Sequence, residues 1–226
     1  MKPRLARTII PFAFLGTLLV SLGISISLSS AANELAPRLW TFDADFPGTL
    51  PQDFTIGTQS DGRPAGEWKV LQTEQAESPP QVLGQMGKSA EYNTVLINGT
   101  SATDIDLRVS FLPIEGKADM GGGLIWRATD DRNYYLTRAN PLEQNIRIYR
   151  VIKGVRHLLQ NFNQTIHLKQ WHTLHVIHHG TKAQVFYDDK PVFDLEDQTF
   201  QSGRIGLWTK SDAVTYFDDL KLQILK

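Results

Sequence analysis

The chain has 226 residues, which suits one large domain or two small ones. Its 23 basic and 24 acidic residues nearly cancel and form no basic patch. Nucleic acid is therefore not an expected partner, because such binding depends on neutralising phosphates. Cysteine is absent, which excludes disulfides, thiol catalysis and cysteine-ligated zinc.

The N-terminus has the composition of an export signal. Three positive charges come first, on Lys2, Arg4 and Arg7. A mostly apolar run over residues 9–28 follows, and small residues at 30–32 suit signal-peptidase cleavage. We therefore predict a signal peptide over residues 1–32 and one domain over residues 33–226 of an exported bacterial protein, periplasmic or secreted. The alternative is an uncleaved N-terminal anchor helix, which would be the membrane contact and would leave the domain facing outward.

The rest of the chain has the pattern of short strands separated by polar turns. Ile105, Leu107 and Val109 alternate with polar residues, which is the period of a half-buried strand, and Lys153-Gly154 is a hairpin dipeptide. Strands are predicted at residues 39–42, 67–72, 92–97, 105–111, 124–128, 134–140, 145–152, 155–162, 171–177, 184–187, 192–193, 204–209 and 216–225. No sustained helical periodicity follows the leader. The pattern predicts an all-β, antiparallel two-sheet sandwich in which the last strand pairs near the first.

Polar and aromatic side chains are concentrated between residues 121 and 151. Guanidinium groups and amides form paired hydrogen bonds with vicinal hydroxyls, and flat aromatic rings stack on sugar faces. The predicted ligand-binding residues are Arg127, Tyr135, Arg138, Asn140, Asn145, Arg147, Tyr149 and Trp208.

Strand parity divides this set, because successive side chains of a strand point to opposite faces. Arg138 and Asn140 share a face with Tyr134, whereas the opposite side is expected to carry a second set on which Tyr135 faces the ligand: Arg127, Tyr135, Asn145, Arg147 and Tyr149. The whole set lines one face only if a bulge or a strand end re-aims some members. The alternative is that these are ordinary exposed strand residues in cross-strand ion pairs.

Three acidic residues near the two ends of the domain form a candidate structural calcium site: Asp43, Asp218 and Asp219. Calcium prefers hard oxygen ligands of this kind. The alternative is that these carboxylates cap turns and accept backbone hydrogen bonds. No other cofactor is predicted.

Histidines and tryptophans are given structural roles. His175 and His179 share a strand face but lie about 13 Å apart by the strand rise, so the histidines near residue 175 are expected to be exposed or cross-strand residues rather than zinc ligands. The large apolar side chains needed between two sheets are expected from the tryptophans, namely Trp40, Trp68, Trp126, Trp171 and Trp208. Trp208 is the one expected to reach a ligand.

The order of motifs after residue 121 resembles a known family. GGGLIWRATDDRNYYLTRAN is followed by NIRIYRVIKGVR, WHTLHV, DDKPVF and FQSGRIGLWTKSDAVTYFDDLKL. This order resembles the concanavalin A-like lectin/glucanase superfamily, and more closely its laminin-G-like and 3-keto-disaccharide-hydrolase-like jelly-roll domains of exported bacterial proteins. The resemblance covers about residues 38–226 and implies a jelly roll. It implies no activity, because one sandwich fold hosts unrelated functions.

The resemblance stops at the catalytic motif. Laminarinase-type members carry an E-x-D-x-x-E strand, and no such spacing occurs here. Glu143 is an isolated acid in a turn, and Asp104 and Asp106 form only a same-face pair. Glycoside hydrolysis normally needs two carboxyl groups facing each other across the scissile bond.

Three functions follow from these observations. The first is an exported carbohydrate-binding jelly roll that recognises a sugar or glycoconjugate on its concave sheet. The second is a glycoside hydrolase-like enzyme acting on glucosides or 3-keto-glycosides, with Glu143, Asp130 or Asp131 as acid or base. The third is a structural or protein-interaction module, which a concave face filled by bulky side chains would favour.

Overall fold

The computed structural model describes residues 36–60, 62–87 and 91–226, so the predicted signal or anchor segment lies outside the described residues. Within them the chain forms fifteen strands and no helix. The strands are β1 (Arg38–Trp40), β2 (Phe54–Thr58), β3 (Trp68–Gln72), β4 (Gln81–Met86), β5 (Tyr92–Ile97), β6 (Ile105–Glu115), β7 (Gly122–Asp130), β8 (Asn133–Asn140), β9 (Asn145–Ile152), β10 (Val155–Asn163), β11 (His172–His179), β12 (Lys182–Tyr187), β13 (Lys190–Glu196), β14 (Arg204–Lys210) and β15 (Val214–Ile224). None of the described residues forms a helix able to cross a bilayer.

The strands form two antiparallel sheets, which confirms the predicted all-β sandwich. The eight-stranded sheet has the order β13-β12-β11-β6-β15-β4-β3, and β1 pairs with β15 beside β4. Arg38 lies opposite Leu222 in that last pairing, so the predicted pairing of the first and last strands is confirmed. The seven-stranded sheet has the order β10-β9-β8-β7-β14-β5-β2.

The core lies between the two sheets and is built by strand alternation. In the eight-stranded sheet, Leu107 and Val109 of β6 point inward. In the seven-stranded sheet, Leu124 and Trp126 of β7 meet them. Burying this many large apolar side chains is the main stabilising contribution in a chain without disulfides.

Two strands of the structure, β2 and β4, were not predicted from the sequence. No strand is predicted between residues 42 and 67, yet Phe54–Thr58 form β2. The strand β4, with sequence QVLGQM, alternates no polar and apolar residues, because most of its side chains on both faces are buried. Gly84 sits in its middle, where an added Cβ would lie 2.5 Å from Cδ1 of Leu71. The glycine and the two glutamines interrupt the apolar pattern, so no strand is predicted at β4.

The seven-stranded sheet is strongly curved, with its outer face concave. Strands β10 and β5 are five strand spacings apart in the sheet order, about 24 Å if the sheet were flat. The guanidinium of Arg156 on β10 nevertheless lies 4.4 Å from the ring centroid of Tyr92 on β5. Gln59, beyond β2, also donates from Nε2 to the carbonyl of Gly154 in the β9–β10 turn, at 2.7 Å. The two sides of the sheet therefore approach each other at this end of the concave face.

The β9–β10 turn that makes this contact has the predicted hairpin geometry. Lys153 has φ 51° and Gly154 has φ 80°, which is the left-handed backbone of a tight hairpin turn. Val155 lies opposite Ile152 immediately after the turn. The predicted hairpin is confirmed.

Candidate functional site

Cross-strand register decides which predicted residues share the concave face. Leu136 belongs to the apolar cluster on that face and lies opposite Tyr149. Two residues further along, Arg138 lies opposite Arg147. Because residues two apart on a strand share a face, Arg138 and Arg147 lie on the concave face with Tyr149. The expectation that Arg138 and Arg147 occupy opposite sides was wrong.

Tyr135 lies on the other face of β8, inside the core. Its hydroxyl donates to Asp197 and accepts from the backbone N–H of Phe200, at 3.2 Å for the second contact. Burial, with the neighbouring Asp197 carboxylate, raises the pKa of Tyr135 to about 12. The placement of Tyr135 on the ligand side was therefore wrong, and Tyr134 is the tyrosine on the concave face.

Arg127 is turned inward by a bulge. Its φ is 47°, and the β7–β8 register shifts between Trp126 and Asp130. The side chain is buried, and its guanidinium donates to the carbonyls of Thr103, Phe200 and Gly180 at 2.8, 3.0 and 2.9 Å. Arg127 therefore ties three loops together and is removed from the concave surface predicted for it.

The histidine next to Arg127 is buried as well. His178 accepts from Nε1 of Trp126 at 2.9 Å, and its other ring nitrogen lies 3.0 Å from the Arg127 guanidinium. Burial and the Arg127 charge lower the pKa of His178 to about 4. The expectation of an exposed or cross-strand histidine was wrong here, and His172 is also buried.

One half of the concave face is filled by aromatic side chains. Tyr92 stacks on Trp208 with ring centroids 5.9 Å apart. The Arg156 guanidinium lies over Tyr92, Tyr149 and Trp208, at 4.4, 5.1 and 5.7 Å from their centroids. The Tyr134 hydroxyl donates to Oε1 of Gln59 at 2.8 Å. Trp208 is only 2% exposed, so the expectation that it reaches a ligand was wrong, and in this filled half it packs beneath the partly buried Tyr92.

The other half of the concave face carries charged side chains around Glu143. Its Oε2 lies 3.0 Å from Arg138, 2.8 Å from Arg147 and 3.3 Å from the Asn145 side-chain amide. The side-chain Oδ1 of Asn145 in turn accepts from Arg138 at 2.6 Å. The Arg147 and Glu143 side chains are 31% and 38% exposed, so this half is open to solvent. We call these four residues, Arg138, Glu143, Asn145 and Arg147, the Glu143 cluster.

The charge state of Glu143 follows from these contacts. Partial burial raises the pKa of this carboxyl, but the Arg138 charge, the Asn145 hydrogen bond and the Arg147 charge together hold it below its ordinary value. Glu143 is therefore ionised at neutral pH. All three contacts are on Oε2, so among the described residues Oε1 keeps its acceptor positions for an incoming hydroxyl.

Asn140 positions this cluster by fixing the β8–β9 turn that carries Glu143. Its Oδ1 accepts the backbone N–H groups of Leu142 and Glu143 at 2.8 and 3.0 Å, which fixes the β8–β9 turn. Its Nδ2 donates to Asp119 at 2.8 Å, and Asp119 also pairs with Lys210. Because Asn140 is buried, the structure gives it a positioning role and not the direct contact predicted for it.

The predicted calcium residues are engaged in backbone and hydroxyl contacts. Asp218 accepts the backbone N–H of Ser78 at 2.9 Å, and Asp219 accepts the Ser78 hydroxyl at 2.9 Å. Asp43 accepts the backbone N–H of Gln81 at 3.2 Å. Within the part of the chain that the structure describes, no three His, Asp or Glu residues converge into a set that could hold a metal ion. Calcium binding stays a prediction.

The remaining candidate acids stabilise turns. Asp130 accepts the backbone N–H of Arg132 at 2.8 Å and the Asn133 amide at 2.9 Å. Asp131 accepts the backbone N–H of Thr58 at 3.0 Å. Neither acid belongs to the Glu143 cluster, whose one carboxylate is Glu143.

Comparisons with known proteins agree with this architecture. A family model described as a 3-keto-alpha-glucoside-1,2-lyase-like domain matches residues 57–223. A levanase of Bacillus subtilis (strain 168) is 21% identical over 142 residues, which is 62% of this chain but only 20% of the levanase, so this chain spans about a fifth of that relative.

Two solved structures share the fold. The carbohydrate-binding module CBM66 from Bacillus subtilis has 19% identity and a TM-score of 0.60, over 74% of this chain and 94% of that one. The exoplasmic/lumenal domain of VIP36, bound to Ca²⁺ and Man3GlcNAc, has 12% identity and a TM-score of 0.55, over 79% of this chain and 86% of that one. At these identities the likeness shows a common fold.

Proposed function

Because the chain belongs to the family of 3-keto-alpha-glucoside-1,2-lyase-like domains, as its sequence resemblance indicated, we propose that it binds carbohydrate through the open half of its concave face. The observation that carries this proposal is the Glu143 cluster. Two guanidinium groups and an amide converge on one carboxylate, and two of the four side chains, Glu143 and Arg147, are partly exposed, whereas Arg138 and Asn145 are buried behind them. The names of similar proteins support it, since one is a levanase, one a carbohydrate-binding module and one a glycan-bound domain.

The chemistry of the cluster suits vicinal hydroxyls. A guanidinium presents several N–H donors in a fixed plane, and an ionised carboxylate presents acceptors only. A pair of neighbouring hydroxyls can donate to Oε1 of Glu143 and accept from Arg147. Because Glu143 already holds both guanidinium groups in place, little side-chain freedom is lost when the sugar binds.

We also propose that the protein is exported. The basic, apolar and small-residue order of residues 1–32 supports this, and the levanase and the carbohydrate-binding module are bacterial proteins. An exported domain meets polymeric glycans directly, which is consistent with a binding surface on an open sheet face.

A matched pair of arginine variants tests the binding proposal. The Arg147 side chain is 31% exposed and paired with Glu143, whereas the Arg108 side chain is 35% exposed and paired with Asp189 in the other sheet. We expect Arg147→Ala to weaken glycan binding by about 10- to 100-fold, the effect of a lost hydrogen bond to a charged group. Arg108→Ala should bind like the wild type. The measurement is isothermal titration calorimetry after affinity electrophoresis against levan, mannan and glucans. Failure of all glycans to bind, or equal binding by both variants, contradicts the proposal.

The family description favours a second function, cleavage of a 3-keto-glucoside. Elimination across carbons 1 and 2 requires a base that removes the proton beside the ketone, and Glu143 is the carboxylate of the open half. Its lowered pKa makes it a weak base, which weighs against this function. Incubation with a 3-keto-α-glucoside decides between the two. Turnover that Glu143→Gln abolishes would establish catalysis, whereas binding without turnover supports the first proposal.

A further inference from the structure

A small cavity lies at the edge of the sandwich, where the two sheets separate. Strands β10 and β13 are the outer strands of the two sheets. Gln160 of β10 donates to the carbonyl of Asp194 in β13 at 2.9 Å, which joins the strands at one point. Beyond this point an edge cavity of about 220 Å³ opens. Its lining includes Phe162, Gln164, Tyr187, Asp188, Lys190 and Pro191.

The edge cavity combines an apolar wall with a polar rim. The Phe162 ring, 39% exposed, and Pro191 supply apolar surface. Asp188 and Lys190 supply one charge of each sign. A sugar ring has the same division, with C–H groups on its faces and hydroxyls around its edge. The volume is below the roughly 300–1,000 Å³ of pockets for drug-sized ligands, so the cavity suits a single sugar unit.

Hydrogen bonds hold two of the side chains that line the cavity, Asp188 and Tyr187. One carboxylate oxygen of Asp188 accepts the backbone N–H of Thr173 at 2.8 Å, and the other lies 2.9 Å from His172 Nδ1. The Tyr187 hydroxyl contacts the same ring nitrogen at 2.8 Å. These contacts hold the wall in one arrangement before any ligand arrives.

A row of polar side chains leads from the Glu143 cluster to this cavity. Arg147 pairs with Glu143 and donates from Nε to Asn161 at 2.8 Å. Asn161 then donates to Asn163 at 3.0 Å. Asn163 and Gln164 line a shallow depression of about 380 Å³, and Gln164 also lines the edge cavity. The polar surface is therefore continuous over the end of β10.

The loop that carries this row is fixed in place. Gln144, in the β8–β9 turn, accepts the backbone N–H of Gln164 through its main-chain carbonyl at 3.1 Å. Its side chain accepts the N–H of Ile166 at 3.0 Å and donates to the Ile166 carbonyl at 3.1 Å. The turn that presents Glu143 thus also holds the loop that reaches the cavity.

From these contacts we infer that the edge cavity is a second subsite, which takes one sugar unit of an oligosaccharide whose other end lies on the Glu143 cluster. The inference rests on the proposed carbohydrate binding and extends it from one sugar to a chain. The Phe162 ring packs against a sugar face, and Asp188 and Lys190 bond its hydroxyls. Affinity should therefore rise with chain length until both subsites are filled.

A second matched pair tests the inference. Phe162 and Leu158 are both exposed apolar residues of β10, 39% and 53% exposed, but only Phe162 lines the cavity. The full chain is titrated calorimetrically with levan-type fructo-oligosaccharides and with α-linked gluco-oligosaccharides, each from the monosaccharide upward. We expect Phe162→Ala to weaken binding of the long members by about fivefold to tenfold and to leave the monosaccharide affinity unchanged. Leu158→Ala should leave both unchanged, and Arg147→Ala should weaken both.

The outcomes separate this inference from the proposed function. If affinity is independent of length, or if Phe162→Ala matches Leu158→Ala, the second subsite is overturned while binding at the Glu143 cluster stands. If Phe162→Ala removes binding and Arg147→Ala does not, the proposed site is overturned. If neither series binds, both are overturned.

Discussion

Both halves of the concave face contain arginines, but the arginine in the filled half packs on aromatic rings and those in the open half pair with a carboxylate. In the filled half, Tyr92 and Trp208 stack under the Arg156 guanidinium, with Trp208 buried and Tyr92 partly buried. In the open half, the buried Arg138 and the partly exposed Arg147 converge on Glu143, which is itself partly exposed. Each half has its own partly buried arginine: Arg156 lies over aromatic rings in the filled half, and Arg147 pairs with a carboxylate in the open half.

The comparison shows that aromatic and arginine content alone does not mark a binding site. Tyr149 and Trp208 have the flat rings that suit sugars, yet their burial gives them a stabilising role. Exposure and unused hydrogen-bonding positions, as at Glu143, mark the surface that a ligand can reach. Stability should therefore depend mainly on the filled half, and binding on the open half.

The largest expected effect is on stability, in the filled half. Trp208→Ala removes a buried ring that stacks on Tyr92 and lies beneath Arg156, so it should lower the free energy of unfolding by about 3–5 kcal/mol. The control is Leu142→Ala at the exposed turn beside the open half, which should change it by about 0.5 kcal/mol or less. Urea denaturation measures both. A Trp208→Ala protein as stable as the control would mean that the filled half contributes no stability.

A smaller effect distinguishes the halves by pH. The pKa of Glu143 is lowered in the folded state, so its stabilising contribution is present above its unfolded pKa and is lost as pH falls through the folded value. Burial raises the pKa of Tyr134 well above its ordinary value, despite the nearby Arg156 charge. Its contribution is therefore present below its unfolded pKa, near 10, and is lost as pH rises through the folded value.

Two variants check these opposite windows. Glu143→Gln should alter the pH dependence of unfolding free energy only on the acid side, and Tyr134→Phe only on the alkaline side. Urea denaturation across a pH series provides the measurement. An alkaline effect of Glu143→Gln, or an acid effect of Tyr134→Phe, would show that the halves are not electrostatically distinct.

Most of the fold could be predicted because its signals are local. Alternation, turn dipeptides and strand composition predicted the bounds of β5 and β9 as observed, and the hairpin at Lys153-Gly154. The buried histidines also had a local signal, since His172 and His178 share parity with core residues Leu174 and Val176. The strand β4 had no local signal, because a strand that is buried on both faces need not alternate polar and apolar residues.

Predicting which site residues share a face required the cross-strand register as well as the alternation along each strand. Ending β8 at Asn140 and starting β9 at Asn145 already places Arg138 opposite Arg147, so a hairpin count would have put both on one face. Counting residues from a hairpin could not predict that the Arg127 side chain points inward, because its direction follows from a bulge where β7 pairs with β14. There an added Cβ at Gly203 would lie 2.5 Å from the Arg127 backbone. That close approach joins residues far apart in the sequence, and no local pattern encodes it.

The central claim is that ligand contacts the open half and spares the filled half. Side-chain ¹⁵N NMR during titration with the tightest-binding oligosaccharide tests this directly, with Arg138 and Arg147 reporting on one half and Arg156 and Gln59 on the other. We predict saturable shifts of the Arg138 and Arg147 Nε–H signals, with the Arg156 and Gln59 signals unmoved. Shifts confined to Arg156 and Gln59 would contradict it.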